Sequence, residues 1–395
     1  MSIDLSLIIP TRDRARYLTH SLKTCLANDH AAMEILVLDN ASVDDTREVV
    51  ERVADERLRY LRSDTRLSMR QNFERGLDSA RGDIVCFIGD DDGVFPDCAS
   101  FAVDLFRKLP IDALSAARAH YFWPDFLTSR KNTALLPRHH GLDIRNSRDE
   151  LKNVLFDSDY YKLPCAYHGF VKRSVLNRVR ERQGGLFFLS SNVDIFSSIA
   201  LAMEDLCFAY SRSPLIINGG SGRSNGASHF GGASAVEKEM WQREDELGFV
   251  SGFGDSLTMG SFIIESALRY IERSPDVGLS DIFGREALCY ALLREQHHRL
   301  EAGRSLENAR QPLMIAKLEQ DCVPRGRRAG LSDASRLSRL MRSFRLHRPV
   351  LMESADISDI AGAAVHLAKL RNLRRTGVLC EPALQVRAAV RLARG

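Results

Sequence analysis

The stretch Ile84–Pro96 constrains the fold more than any other part of the chain, because an apolar run leads directly into three carboxylates. The first five residues are rich in β-branched side chains, which is typical of a buried strand. Asp90, Asp91 and Asp92 follow after one glycine. Alternating side-chain directions predict Asp90 and Asp92 on one side of the chain and Asp91 on the other. A divalent cation lets such close carboxylates stay ionised, because hard cations take oxygen ligands. We therefore expect a metal site at the carboxyl edge of a sheet; the alternative is a polar turn after a strand.

Three shorter apolar runs precede this stretch and alternate with helical patterns. Leu5–Pro10, Glu34–Leu38 and Leu58–Leu61 are predicted strands. A helix over 72–80 is followed by Gly82, as glycine favours the position just past a helix end. This strand–helix alternation predicts an α/β fold with a mostly parallel sheet flanked by helices on both faces.

Composition excludes several classes of protein. The chain has 395 residues and a net charge of +3, so the whole molecule does not resemble a nucleic-acid-binding protein. Its eight cysteines are scattered without a CxxC pair, which predicts reduced thiols in a cytosolic protein. The amino terminus leads directly into a strand pattern, so no signal peptide is expected. No window approaches the roughly twenty apolar residues of a transmembrane helix.

The organisation changes along the chain. Strand patterns recur at 111–117, 165–171, 207–210 and 215–217, with helices over 173–182 and 195–203 and a glycine-serine loop at 218–226. Beyond about residue 233 helical periodicity dominates, and 336–394 is predicted to be helical and strongly basic. We expect a domain over residues 1–232, made of halves 1–98 and 99–232, and a mainly α-helical region over 233–395.

Four pieces of the first hundred residues carry a family resemblance by their order and spacing. They are Ser6–Thr11 with Arg14, Ile35–Ser42 with Asp44–Thr46, Asn72–Gly76 with Ala80–Asp83, and Gly89–Asp92. Together they resemble the nucleotide-binding half of the inverting family 2 glycosyltransferases, which have the GT-A fold. Residues 167–225 are more loosely similar to the acceptor half of that family.

The resemblance implies a donor site at the carboxyl ends of the strands. In the family, the Asp that ends the second strand binds the nucleobase, usually uracil, and here that residue is Asp39; the alternative is a loop-capping role. Asp90 and Asp92 match the element that holds Mn²⁺ or Mg²⁺, with Asp92 favoured for direct coordination. Asp91 is assigned to the donor sugar or to the loop alone. The remaining expected contacts to nucleotide or phosphate are Pro10, Thr11, Arg12, Arg14, Asn72 and Arg223.

An inverting transfer needs a general base for the acceptor hydroxyl. The family takes it from a carboxylate at the start of a helix, and Asp194 is the candidate; its alternative role is a helix N-cap. The pair Glu204–Asp205 is second, although its place late in the helix suggests solvent exposure. His168 is expected to line the acceptor pocket or to be structural. His229 is a weaker candidate for an additional metal ligand.

The loop 221–225 is either a closure over the diphosphate, with Arg223 as charge partner, or a plain solvent loop. Other positions depart from the family pattern. Gly89 and Asn40 stand where Asp is common, and Arg12-Asp13 replaces an aromatic-Asn pair. The Gln-x-x-Arg-Trp element of processive synthases is absent, so polymer extrusion is not expected.

Five arginines recur at every third position near the carboxyl terminus: Arg336, Arg339, Arg342, Arg345 and Arg348. On a helix they form a broad basic stripe. The stripe suits anionic lipid headgroups, and hence peripheral contact with the inner face of a membrane. The favoured alternative is a solvated face of a packing helix.

These observations predict a metal-dependent inverting glycosyltransferase. It would move a sugar from a nucleotide-sugar, expected to be a UDP-sugar, to a hydroxyl of a glycan or lipid-linked acceptor in surface polysaccharide or glycolipid synthesis. One alternative is a nucleotidyltransferase, which favours a glycine- and lysine-rich loop after the first strand that 11–16 lacks. The other is a non-catalytic scaffold that binds sugar nucleotides.

Overall fold

The computed structural model describes residues 2–126, 130–224, 244–250, 253, 256, 258–301, 347–352 and 357–375. The strands are β1 (Leu5–Thr11), β2 (Met33–Asp39), β3 (Leu58–Arg62), β4 (Ile84–Phe87), β5 (Gly93–Val94), β6 (Ala113–Ala116), β7 (Ala119–Phe122), β8 (Thr133–Pro137), β9 (Leu142–Asn146), β10 (Phe170–Lys172), β11 (Cys207–Ser211), β12 (Ile216–Gly220) and β13 (His347–Leu351). The helices are α1 (Ala15–Leu26), α2 (Thr46–Glu51), α3 (Met69–Ser79), α4 (Cys98–Lys108), α5 (Ser147–Leu151), α6 (Val154–Asp157), α7 (Arg173–Arg182), α8 (Val193–Ala202), α9 (Met259–Ile271), α10 (Leu279–Phe283), α11 (Arg285–Glu301) and α12 (Ile360–Arg375).

An eight-stranded sheet in the order β3-β2-β1-β4-β10-β6-β11-β9 forms the centre of the fold. The first four strands are parallel, and β10 runs antiparallel to both of its neighbours. β1, β2 and β4 are apolar along most of their length because both faces of a parallel sheet are covered by helices. This mixed, mainly parallel sheet confirms the predicted α/β class.

A second sheet of five strands, in the order β13-β8-β7-β12-β5, lies beside the first. Its strand β5 begins at Gly93, one residue after the acidic triplet. β5 pairs with β12 at Ile216 and Ile217, so the triplet is held in the connection between the two sheets.

The carboxyl-terminal part differs from its sequence prediction at one place. Residues 347–351 form β13, which pairs antiparallel with β8, whereas a helix was expected over 336–394. Pro349 explains the difference, because proline breaks a helix interior but is tolerated in the edge strand that β13 is. Helix α12 falls within the predicted helical range. One arginine of the expected basic stripe, Arg348, lies in β13. The other four lie outside the described residues: Arg336, Arg339, Arg342 and Arg345.

The helices after residue 258 pack on the central domain. Phe262 and Ile263 of α9 share a buried cluster with Val193 and Phe196 of α8. The boundary near residue 233 is not tested by this packing and stays a prediction.

Free thiols among the described residues are Cys25, Cys86, Cys98, Cys165 and Cys207. Cys289 of α11 is disulfide-bonded, which corrects the expectation that all eight cysteines are reduced. Among the described residues, no helix is long and apolar enough to cross a membrane.

Candidate functional site

The carboxyl ends of β1, β2 and β4 bring three sequence-predicted segments to one edge of the sheet. Thr11 pairs with Asp39 in the register of β1 and β2, and the Asn40 N–H donates to the Thr11 carbonyl at 2.9 Å. β4 joins the other side of β1, and the Ile88 N–H donates to the Ile8 carbonyl at 3.0 Å. The acidic triplet therefore begins beside the end of β1.

Asp90 and Asp91 both form ion pairs with the side chain of Arg14. The Arg14 guanidinium lies 2.9 Å from Asp90 Oδ1 and 2.8 Å from Asp91 Oδ2, and Thr11 Oγ1 donates to Asp90 Oδ2 at 2.7 Å. Burial, together with the neighbouring carboxylates, raises the pKa of Asp90 to about 6, although Arg14 opposes the rise. Burial alone would lower the pKa of Arg14, but Asp90 and Asp91 raise it, so the guanidinium stays charged.

Asp92 has a different set of partners. Its Oδ1 accepts the Gly219 N–H at 2.7 Å, and its Oδ2 accepts the Gly89 N–H at 2.6 Å and the Tyr167 hydroxyl at 2.8 Å. His168 Nε2 lies 2.5 Å from the same Oδ2. Burial would raise the pKa of Asp92, but these partners hold it at about 2. Burial lowers the pKa of His168.

The expected alternation of the triplet is therefore wrong. Asp90 and Asp91 face the same arginine, whereas Asp92 faces Tyr167 and His168. The physical reason is that β4 ends at Phe87, so the triplet lies in a turn where the period of an extended strand does not apply. The assignment of Asp90 and Asp92 to a metal is not tested by these contacts. Asp92 Oδ2 has three hydrogen-bonding partners, whereas Oδ1 accepts one hydrogen bond and keeps a lone pair that a cation could take.

Two neighbours fix the backbone of the triplet. The buried Trp123 indole N–H donates to the Asp91 carbonyl at 3.0 Å. Gly219 of β12 approaches the same carbonyl so closely that a Cβ there would lie 1.8 Å from the oxygen. A glycine is required at this position because of that approach, since no larger residue fits without moving the backbone.

The loop after β12 adds hydroxyl donors to Asp91. Ser221 Oγ and Ser224 Oγ donate to Asp91 Oδ2 at 2.7 and 2.6 Å. Arg223 lies beside them, and its guanidinium donates to the Asp13 carbonyl at 2.6 Å. The predicted loop thus contacts the triplet through its serines. Asn225 and His229 lie outside the described residues.

The expected nucleotide side of the site is built around Asp39, which is fully buried. Its Oδ1 accepts the Ser42 N–H at 2.8 Å, and its Oδ2 accepts a short hydrogen bond from Tyr60. Arg62 forms an ion pair with it at 3.4 Å. Asn72 of α3 donates to the Leu38 carbonyl at 3.3 Å, and its buried Oδ1 accepts no hydrogen bond. Pro10 is a β1 residue paired with Leu38.

Asp194 lies in the first turn of α8, where its half-buried carboxylate accepts a short hydrogen bond from Tyr160. The helix N-cap is Asn192, so the N-cap alternative for Asp194 is excluded. The Tyr167 hydroxyl donates to Asp92. Burial is the main cause that raises the pKa of this hydroxyl, and the charges of Asp92 and Asp194 raise it further. Tyr167 therefore lies within electrostatic reach of both predicted centres.

The second candidate pair for the base does not reach this region. The Glu204 side chain is only 2% exposed, and it forms ion pairs with Arg178 at 3.1 Å and Arg182 at 2.8 Å. The expectation of solvent exposure is wrong for the Glu204 side chain, which α7 covers, and is confirmed for Asp205, which is exposed. Asp205 accepts a hydrogen bond from Asn146 at 2.7 Å.

A cavity of about 480 Å³ opens beside Arg14. It is lined by residues 13–17, which span the β1–α1 connection and the start of α1, by Gly222 and Arg223 of the loop after β12, and by Asp44 and Asp125. Three of the lining side chains are arginines: Arg14, Arg16 and Arg223. Three others are aspartates, Asp13, Asp44 and Asp125, so the formal charges of the lining balance.

The triplet fits a cation that is shared with a bound diphosphate. Among the described residues, no three or more His, Cys, Asp or Glu side chains form a group that could hold a metal by themselves. Asp90 Oδ1 is buried and accepts no hydrogen bond, although Arg14 lies beside it. Mg²⁺ is commonly held by one or two carboxylates together with substrate phosphates, and this donor set meets that requirement.

Several contributors were not predicted from the sequence as site residues. Tyr167, Trp123 and Gly219 contact the triplet from 32 to 127 residues away. The only sequence signal was that Trp123 and Gly219 lie in loop-like segments rich in Pro or Gly. Glu244 and Asp245 gave no signal, and they contact arginines of the nucleotide side.

Comparison with known proteins shows which family this part of the chain is similar to. The model of the family described as Glycosyl transferase family 2 matches residues 6–167. A GalNAc(5)-diNAcBac-PP-undecaprenol beta-1,3-glucosyltransferase of Campylobacter jejuni is 37% identical over 91 residues, which is 22% of this chain and 29% of that protein. Glycosyltransferase AglD of Haloferax volcanii is 24% identical over 179 residues, or 44% of this chain and 27% of that protein. The chain thus aligns with less than a third of either relative.

Solved structures agree on the fold. S. aureus TarS, residues 1–349 in complex with UDP-GlcNAc, superposes with a TM-score of 0.52 at 14% identity and covers 77% of each chain. This likeness shows a shared GT-A fold. The matched segment contains β1 from Ser6 onward, Asp39, Asn72 and the complete acidic triplet. Residues 6–167, about two fifths of the chain, are therefore similar to glycosyl transferase family 2.

Proposed function

We propose that the protein is a metal-dependent inverting glycosyltransferase that moves a sugar from a UDP-sugar to a hydroxyl of a glycan or lipid-linked acceptor. The observation that carries this proposal is the meeting of Thr11, Asp39 and the acidic triplet at one sheet edge, within the segment that is similar to family 2. Open α/β sheets bind ligands at this edge.

The donor is proposed to lie across the ends of β1, β2 and β4. Pro10 and Thr11 would contact the nucleoside together with Asp39, while Arg12, Arg14 and Arg223 would contact the diphosphate. Asn72 supports this arrangement, because its side chain holds the end of β2 and keeps a buried oxygen unpartnered.

The metal, Mn²⁺ or Mg²⁺, is proposed to be held by Asp90 and Asp92, with Asp91 directed to the donor sugar or the loop. When bound, such a cation neutralises charge on a departing diphosphate. Arg14 forms ion pairs with both Asp90 and Asp91, so it is placed to turn from these carboxylates toward the phosphates.

Asp194 is proposed as the general base. It would take the proton of the acceptor hydroxyl while that oxygen bonds to the anomeric carbon and the bond from that carbon to the diphosphate breaks. Its position supports the role, because the carboxylate is half-buried, has a fixed donor in Tyr160 and is in the first turn of a helix. His168 contacts Asp92 instead, so we assign it to supporting the triplet.

A lipid-linked acceptor is proposed from the relatives. The Campylobacter protein bears the name of an enzyme whose substrate is attached to undecaprenyl diphosphate. We place the protein at the cytoplasmic face of a membrane by analogy. The basic carboxyl-terminal segment is a candidate contact with anionic lipid, and it stays a sequence prediction.

A thermal-shift screen of nucleotide-sugars with and without Mn²⁺ tests the donor. Ligand at 100 times its dissociation constant stabilises the folded state by about 2.7 kcal/mol, which raises the melting temperature by several degrees. We expect the largest rise for a UDP-sugar with Mn²⁺. A nucleotidyltransferase would respond equally to nucleoside triphosphates, and a scaffold would bind a donor without releasing UDP when acceptors are supplied.

A further inference from the structure

Residues 244–250, which we call the strap, cross the nucleotide side of the proposed site. Glu244 Oε2 lies 2.8 Å from the Arg12 guanidinium, and Glu244 Oε1 forms a short ion pair with Arg66. Asp245 Oδ1 lies 3.3 Å from Arg70 Nε. Three arginines from two segments of the chain therefore converge on two adjacent carboxylates.

The other contacts of the strap anchor it to the loop before α8. Asp245 Oδ2 accepts the Ser191 hydroxyl at 2.6 Å, and Asp245 is buried. Glu265 of α9 accepts the Ser190 hydroxyl at 2.9 Å and the Val250 N–H at 3.3 Å. These bonds fix the strap to the segment that leads to Asp194.

The two carboxylates of the strap differ in how firmly they are held. Asp245 is buried and has partners on both oxygens. Glu244 is half-buried, and its partners Arg12 and Arg66 are 28% and 41% exposed. Ion pairs with this exposure exchange readily, because they are worth little in water. Glu244 is therefore the replaceable contact, and Asp245 is the fixed one.

We propose that Glu244 is an internal anion that occupies Arg12 and Arg66 when no nucleotide is bound, and that the phosphates of a nucleoside diphosphate displace it. This inference rests on the proposed function of the site, because Arg12 is one of its proposed nucleotide contacts. A diphosphate offers the same kind of acceptor oxygens with more negative charge. The strap then sets the apparent donor affinity by the fraction of molecules in which the arginines are free.

The test is UDP binding, by calorimetry in the presence of Mg²⁺, to the full chain and to Glu244→Gln. Glutamine keeps the size of the side chain and removes its charge, and Asp245 is left in place. We expect Glu244→Gln to bind UDP roughly tenfold more tightly, as expected if about a tenth of the wild-type molecules are open. Arg66→Gln is expected to weaken binding severalfold in either background.

Asp149→Asn is the matched control. It removes one negative charge from a 73% exposed side chain on α5, whose partner is Lys152. We expect this control to bind UDP within twofold of wild type. The tighter UDP binding of Glu244→Gln would then come from the strap and not from a general loss of negative charge. Equal or weaker binding by Glu244→Gln, with UDP still bound by the wild type, overturns the strap proposal alone. Failure of both proteins to bind UDP or GDP overturns the proposed function as well.

Discussion

The close approach of β12 to the acidic triplet leads to a prediction for Gly219→Ala. The new Cβ would lie 1.8 Å from the Asp91 oxygen and 2.6 Å from its carbonyl carbon. Ordinary contact requires about 3.4 Å, so the strand and the triplet must separate by roughly 1.5 Å. That movement breaks the 2.7 Å hydrogen bond from the Gly219 N–H to Asp92.

The cost can be worked from these two effects. Overpacking of this kind costs about 1–3 kcal/mol, and a hydrogen bond to a charged group contributes about 1.5–3 kcal/mol. The two costs overlap, because the backbone movement that breaks the hydrogen bond also relieves part of the overpacking. We therefore expect the free energy of unfolding to fall by about 2–4 kcal/mol. The backbone of Gly219 is not left-handed, so the loss would arise from the contact and not from strain of the alanine itself.

Urea denaturation followed by circular dichroism measures this loss, with Gly362→Ala of α12 as the control. The nearest atom to a Cβ at Gly362 is a flexible Ile357 methyl group at 3.2 Å, so a change of at most about 1 kcal/mol is expected there. UDP affinity should fall in Gly219→Ala and stay unchanged in Gly362→Ala. A Gly219→Ala protein as stable as the wild type would refute the account of how β12 fixes the triplet.

Two further predictions concern the proposed base and a buried acid. Asp194→Asn should bind UDP within about twofold of wild type but lose transfer by roughly 10²–10⁴-fold, the usual contribution of a general base; full transfer would move the base elsewhere. Burial raises the pKa of Glu265 to about 7, so the folded protein holds this proton more tightly than the unfolded chain does. Its effect on stability is absent below the unfolded pKa of about 4.3 and becomes unfavourable as pH rises toward 7. The stability of the wild type relative to Glu265→Gln should therefore fall by roughly 3 kcal/mol between pH 4 and pH 8 in urea denaturation; a constant difference would contradict the shifted pKa.

Much of the fold follows from local sequence patterns. β1, β2 and β3 were predicted from apolar runs, and α7 was predicted with the bounds Arg173–Arg182 that the structure has. These elements could be predicted because burial on a parallel sheet and helical periodicity are both local properties.

The site itself depends on contacts that no local pattern carries. The side-chain directions of the triplet were predicted wrongly because β4 stops at Phe87 and a turn follows. The Glu244–Arg12 contact joins residues 232 positions apart, so only the folded chain reveals it. β13 was missed because its only local signal, Pro349, excludes a helix without indicating which strand it would pair with.

The central claim is that the acidic triplet binds a nucleoside diphosphate together with a divalent cation. Calorimetric titration of UDP into the wild type with Mn²⁺, and again with EDTA, tests it most directly when paired with Asp90→Asn. Asparagine at this position can still accept the Thr11 hydrogen bond, so the fold of the site should be retained. The account predicts that either EDTA or Asp90→Asn weakens UDP binding by at least about tenfold, or about 1.4 kcal/mol. UDP binding of equal strength in all three titrations would contradict it.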